Sequence, residues 1–304
     1  MNHYTACREL TPYLCPTPAM RIGAPGKHGR LNLTFELDEQ HKSILKKGER
    51  QAPLIVQQAL YFDESMPEMP CVYILSSGGP HVDGDRYEHT ITMRKNSYAF
   101  ISTGASTKIA EMIYNFSSLQ QHFIMEENSY LEYLPEPTIP CRNSRYIADT
   151  HINIHPTASL FYSEIYTGGR KYHNKELLEY NLLSISTQAE RPDGTTLFRE
   201  KMVITPPNGT LRHTGILSHY DVWGEAIVLT PQEHAEAIYA QTSVFIQQDP
   251  MLAIGIHWLP NHCGLIFRAL SKESYTIKKA IRSFASIVRQ EIKGKPLPEE
   301  FSWR

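Results

Sequence analysis

Between Ser129 and Pro140 the chain reads Ser-Tyr-Leu-Glu-Tyr-Leu-Pro-Glu-Pro-Thr-Ile-Pro, and no other stretch limits the fold so strongly. It opens as a strand of aromatic and aliphatic residues. It then meets Pro135, Pro137 and Pro140, which fix φ and remove backbone donors. Proline cannot sit in the middle of a sheet ladder, so the strand must end or reach an edge near Pro135. Glu132 and Glu136 lie inside this apolar run, which predicts buried or half-buried carboxylates. A stiff, extended segment carrying acids suits an interaction surface or a guided passage better than a hydrolytic pocket.

Most of the remaining chain also has the period of strands. Leu31, Leu33, Phe35 and Leu37 alternate with polar residues, as do Tyr87, His89, Ile91 and Met93. Asp149 to His155 alternates around Ile152 and Ile154, and Ser159 to Tyr166 resumes after Pro156. Turns fall at Ser77-Gly78-Gly79-Pro80, Gly84-Asp85 and Gly168-Gly169. Two helices interrupt the pattern. Thr230-Pro231-Gln232-Glu233 reads as a capping box with Pro231 at the first helical position. Near the C-terminus Ile277, Ala280, Ile281, Phe284, Ile287, Val288 and Ile292 share one helical face. Lys278, Lys279, Arg282, Arg289 and Lys293 fall on the polar side, and Gly294 closes the helix. Thr107 to Phe116 fits either period. No linker clearly divides the chain, so one continuous β-rich unit is expected.

With 304 residues the chain can bury a substantial core. A net charge of -2 excludes a strongly basic nucleic-acid binder. No apolar run approaches the ~20 residues of a bilayer crossing, and Met1 to Arg21 lacks the pattern of a secretory signal. Cys7, Cys15, Cys71, Cys141 and Cys263 are odd in number and widely spaced, which points to thiols in a reducing cytoplasm.

Several familiar chemistries fail on spacing. Ser77-Gly78-Gly79 and Gly84-Asp85 lie between strands, whereas a phosphate loop needs Gly-Lys-Ser/Thr before a helix. His151 and His155 are four apart on a strand, about 13 Å, too far for one ion. Asn261-His262-Cys263 supplies too few ligands for a metal centre by itself. Glu132 and Glu136 offer the two acids of a glycosidase, but on one strand they sit too far apart for the retaining geometry. Arg142, Arg145, Asp149 and Glu164 alternate with Tyr130, Tyr133, Tyr146, Tyr162 and Tyr166. Such a set lines a polar surface between sheets, along which a hard or borderline divalent cation can move without being trapped.

Five segments, taken in order, resemble the urease accessory protein family UreD (UreH). They are Gly29 to Phe35, Gly78-Gly79 to Gly84-Asp85, Thr103 to Thr107-Lys108, Leu131 to Pro140, and Glu164 to Gly169-Arg170. The resemblance covers about residues 22–304 and leaves 1–21 as an unassigned extension. It implies a mainly β fold, layered in an open, β-helix-like arrangement of many short strands, with about two helices. It further implies a non-enzymatic maturation chaperone that docks on nickel-free urease and recruits UreF and, through it, the GTPase UreG. An internal passage would take nickel, bound only transiently, to the urease active site. Asp85, Glu132, Glu136 and Glu164 are the candidates for its wall; Gly78, Gly79, Gly84, Lys108, Pro135, Pro140, Gly169 and Arg170 are motif positions. No stable metal site is expected. The chain departs from the family pattern at Pro80 to Asp83, and at Lys171 to Glu176, which leaves Glu176 without an implied role. The competing readings are a glycoside hydrolase using Glu132 and Glu136, and a carbohydrate-binding β module.

Overall fold

Inward alternation builds two facing sheets. The computed structural model describes residues 7–14, 26–245 and 251–298. In chain order its first strands are β1 (His28–Leu37), β2 (Ser43–Gln51), β3 (Leu54–Val56), β4 (Cys71–Ser76), β5 (Arg86–Met93) and β6 (Tyr98–Thr103). There follow β7 (Thr107–Ile109), β8 (Ser117–Met125), β9 (Tyr130–Tyr133), β10 (Thr138–Pro140), β11 (Arg145–Ile154) and β12 (Ser159–Thr167). The last elements are β13 (Leu182–Glu190), β14 (Thr196–Ile204), β15 (Val222–Leu229), α1 (Gln232–Ala240), β16 (Leu252–Trp258), β17 (Gly264–Ser271) and α2 (Ser274–Lys293).

The first sheet has the order β14-β13-β11-β8-β5-β1-β2, and the second β16-β17-β15-β12-β9-β6-β4-β3, with β7 and β10 attached through β12. From β4 to β13 the chain passes back and forth between the sheets. Each return lays a strand parallel to the previous one, as in β5 beside β8 and β9 beside β12. That is the expected layered, open, helix-like winding. Leu31, Ile91, Phe123, Leu131, Leu160 and Ile227 meet between the sheets. A separate apolar layer joins the outer face of the second sheet to α2 through Phe161, Phe267, Ile277 and Phe284.

The proline segment behaves as its covalent structure requires. β9 stops at Tyr133, and the chain leaves the ladder through Pro135 and Pro137 before β10 pairs with β7. The donors that remain are used: Leu134 N–H bonds Ile101 O at 2.9 Å, and Glu136 N–H bonds Thr103 Oγ1 at 2.9 Å.

Two local expectations, at Thr230 and Arg289, are corrected, and the open reading of Thr107 to Phe116 is resolved. Thr230 does not cap α1, because its hydroxyl bonds Ser159 Oγ at 2.7 Å; Pro231 takes the cap position and the helix begins at Gln232. Thr107 to Phe116 is a short strand followed by irregular chain. There the Asp83 carboxylate accepts the N–H groups of Ile113, Tyr114 and Asn115, which holds the backbone out of a helix. Arg289 is not on a solvated face of α2: it is wholly buried, bonded to Glu132 and Asp63.

Of the extension, residues 1–6 and 15–21 lie outside the described residues. Arg8–Tyr13 forms a 3-10 turn whose Leu10 is buried against Phe116, Ile147 and Leu182. Gly169 shows why one motif glycine is required. Its φ is 139°, and a Cβ there would lie 2.5 Å from the Glu176 carbonyl oxygen. Gly169→Ala should therefore lower stability by about 1–3 kcal/mol, read as a shift in thermal midpoint; an unchanged midpoint would contradict this packing.

Candidate functional site

A row of polar side chains crosses the interior where apolar residues are the rule. In the first sheet His89, Gln121, Thr150, Thr187 and Glu200 stand in register across β5, β8, β11, β13 and β14. Neighbouring strands lie about 4.8 Å apart, so this row spans about 19 Å. Opposite it, Glu164, Glu225 and Arg268 are in register across β12, β15 and β17. Each row member is flanked two residues away by core side chains. Ala148 and Ile152 bracket Thr150, Trp223 and Ile227 bracket Glu225, and Leu270 and Ile266 bracket Arg268. From Gln121 to Glu200, and from Glu164 to Arg268, the flanking residues on one side belong to the main core and those on the other to a second cluster around Tyr146, Tyr166 and Trp223; both neighbours of His89, Tyr87 and Ile91, belong to the main core. The seam thus divides the sandwich core in two.

Hydrogen bonds run along the seam. Tyr133 OH donates to Gln121 Oε1 at 2.7 Å, and Gln121 Nε2 donates to Thr150 Oγ1 and Tyr162 OH at 3.1 Å each. Tyr162 OH donates onward to Glu164 Oε1. At the far end Arg268 pairs with Glu200 and lies 3.6 Å from Glu225. At the near end the seam opens into a cavity of about 380 Å³. Four motifs separated in sequence supply its wall: Gly79-Pro80-His81, Thr103 to Lys108, Pro135-Glu136 and Glu164.

Burial sets the electrostatics. It pushes the Glu164 carboxyl up to about 7, against the opposing effect of the Tyr162 and Tyr166 hydroxyls. Glu164 Oε2 lies buried without a well-formed hydrogen bond. Burial, with Glu200 and Glu164 adding to it, holds Glu225 up at about 8 despite Arg268. Burial also lowers His89 to about 4, partly offset by Gln121, and lowers His81 to about 3, with His89 and Lys27 adding to it. Both imidazoles are therefore neutral near pH 7, and each has a buried ring nitrogen outside hydrogen-bond geometry. Buried polar atoms of this kind are costly unless something meets them.

The structure brings Glu136 and Glu164 to one cavity, together with Gly79, Lys108 and Pro135. Glu136 also reaches Lys278 Nζ at 3.0 Å. Asp85 and Glu132 are placed elsewhere. Asp85 is buried and ties the chain at the start of β1 to the glycine turn, accepting from Lys27 N–H at 2.9 Å and Val82 N–H at 3.0 Å. Glu132 faces α2, with Arg289 Nη2 2.6 Å from Oε2 and Nε 2.7 Å from Oε1. Both its oxygens are engaged, so it cannot work with Glu136 across a sugar bond. Gly79 and Gly84 take positive φ, 70° and 79°. Arg170 holds Glu176, which is buried and also accepts from Arg142 N–H at 2.8 Å, so Glu176 anchors its loop.

Among the described residues no group of three or more His, Cys, Asp or Glu is placed to hold one ion. The seam residues Gln121, Thr150, Thr187, Glu200, Glu225 and Arg268 escape a motif search. Their signal is a single polar residue at an inward position, bracketed two residues either side by apolar ones.

These features define a β-rich class of protein, a two-sheet sandwich whose core is crossed by a row of polar side chains. The model of the family described as UreD urease accessory protein matches residues 27–304. The chain is 43% identical over 303 residues to "Urease accessory protein UreD" of Yersinia enterocolitica serotype O:8, covering 97% of this chain and 92% of that one. It is 41% identical over 297 residues to "Urease accessory protein UreD 2" of Brucella suis biovar 1, covering 97% and 98%. The chain belongs to the UreD family of urease accessory proteins. It is an accessory protein of urease maturation rather than an enzyme.

Proposed function

We propose that the protein is the scaffold on which nickel-free urease, UreF and, through UreF, UreG assemble in the cytoplasm, and that its interior seam is the route taken by the nickel cargo. The observation that carries this reading is the register row itself. Replacing one polar residue by an apolar one at each position would give a continuous core, yet an imidazole, an amide, hydroxyls and an acid occupy the row across β5, β8, β11, β13 and β14. Carboxylates, neutral imidazoles and amide oxygens are acceptable ligands for a borderline divalent cation. Spaced one strand apart along the row, such ligands would hand an ion on from one to the next. Near neutral pH Glu164 sits close to its own titration point, so a cation can displace its proton at small cost.

The test is co-production of Glu164→Ala with the urease subunits, UreF and UreG. Retained capture of all partners with loss of urease nickel supports a route through Glu164. Normal nickel loading would remove Glu164 from it, and loss of capture would recast the residue as part of the docking scaffold.

A further inference from the structure

The outer face of the first sheet carries metal-binding chemistry of its own, on the other side of the strands from the seam. Parallel pairing sets Thr90, His122, His151 and Gln188 in one row across β5, β8, β11 and β13. The His122 and His151 rings lie with centroids 5.2 Å apart and planes 21° from parallel. They are half-buried in a shallow groove of about 390 Å³ whose rim bears Glu88 and Glu190. The chain neighbours Phe123 and Ile152 point the opposite way into the core, which fixes the backbone beneath both imidazoles.

The Gln188 carboxamide contacts His151 Nδ1. With its carbonyl turned to accept Nδ1–H, an orientation the two-fold ambiguity of an amide allows, the ring is held in the tautomer that carries its lone pair on Nε2. Such a partner on the second ring nitrogen is the usual way a histidine ligand is oriented. Two imidazoles opposite one another on a solvated face repel when both are protonated. A shared cation reverses that penalty, and Glu190 on the rim adds to its attraction, whereas Glu88 is paired with Arg30 Nε at 3.2 Å.

We propose that His122 and His151 form a bidentate imidazole site for a borderline divalent transition cation, with water completing the coordination shell. Imidazole donors and a two-nitrogen bite favour Cu²⁺, Ni²⁺ and Zn²⁺ over Mg²⁺ and Ca²⁺. Small side-chain rotations bring nitrogens on strands about 4.8 Å apart toward one ion with bonds of about 2.1 Å. The site does not depend on the interior route: it lies on the opposite face and uses none of its residues.

Calorimetric titration of the full chain with Ni²⁺ tests the proposal, with paramagnetic broadening of histidine ring resonances as a second readout. The wild type should bind one more ion than the His122→Ala/His151→Ala double variant, and broadening should centre on these two rings. Gln188→Leu should weaken the site by about 10-fold to 100-fold. Glu164→Gln should leave it intact, which separates this site from the seam. Equal Ni²⁺ stoichiometry in the wild type and the double variant, or no Ni²⁺ binding by the wild type, overturns it.

Discussion

Arg289→Leu should cost about 3–5 kcal/mol of folding free energy, the range for removing one partner of a buried ion cluster. The guanidinium is wholly buried, as are Asp63 and Glu132, the two acids it bonds. Tyr130 OH adds a 2.5 Å bond to Glu132 Oε1, and the Lys293 ammonium lies 4.6 Å from the Tyr130 ring centre. Loss of the arginine leaves two carboxylates in a site that cannot hydrate them. Because Arg289 rises from α2, Glu132 from β9 and Asp63 from the loop between β3 and β4, the cluster fixes the helix on the second sheet. The measurement is the urea midpoint at unchanged slope. Replacing all three charged residues by apolar ones of similar volume should recover much of the loss, since desolvation of the ions offsets most of their attraction. A single variant within about 1 kcal/mol of wild type would show that the cluster is not sealed from water.

The same cluster shows what the sequence could and could not reveal. Period-2 runs located β1, β5, β11 and β12, and the prolines correctly ended β9, because these signals are local. The apolar stripe and Gly294 likewise located α2. Arg289 was misplaced because helical periodicity assigns charge to the wet face. The partners that keep it buried lie 157 and 226 positions away in sequence. Thr230 failed for a related reason: its cap competed with Ser159 on a distant strand and lost. Within the site, Glu136 and Glu164 were accessible as acids inside apolar segments. The seam was not, since Thr150, Thr187 and Glu225 are unremarkable singly and gain meaning only when parallel pairing stacks them in register. His151 repeats the lesson on the outer face: its neighbour in space is His122 on β8, not His155 four residues along.

Glu164→Gln should abolish nickel loading of co-produced urease while making the protein more stable in mild alkali. Burial raises this carboxyl from 4.5 to about 7, so the folded state binds a proton that the unfolded chain has released. Stability is therefore highest below the unfolded value and falls as pH rises through the folded one, by about 3 kcal/mol in total. Glutamine cannot ionise, so the variant lacks this fall. It should match the wild type near pH 4.5 and exceed it above pH 7, measured as denaturant midpoints across that range. A shallower decline of the same sign remains in the variant, because Glu225 is also held up, at about 8. The two readouts separate function from fold. If the variant gains no stability in alkali, the buried-acid argument is wrong. If it gains stability but urease still fills with nickel, Glu164 is a buried acid that the cargo does not use. Loss of loading together with gained stability is the signature of a residue kept ionisable for passage at the expense of the fold, a trade common at functional sites.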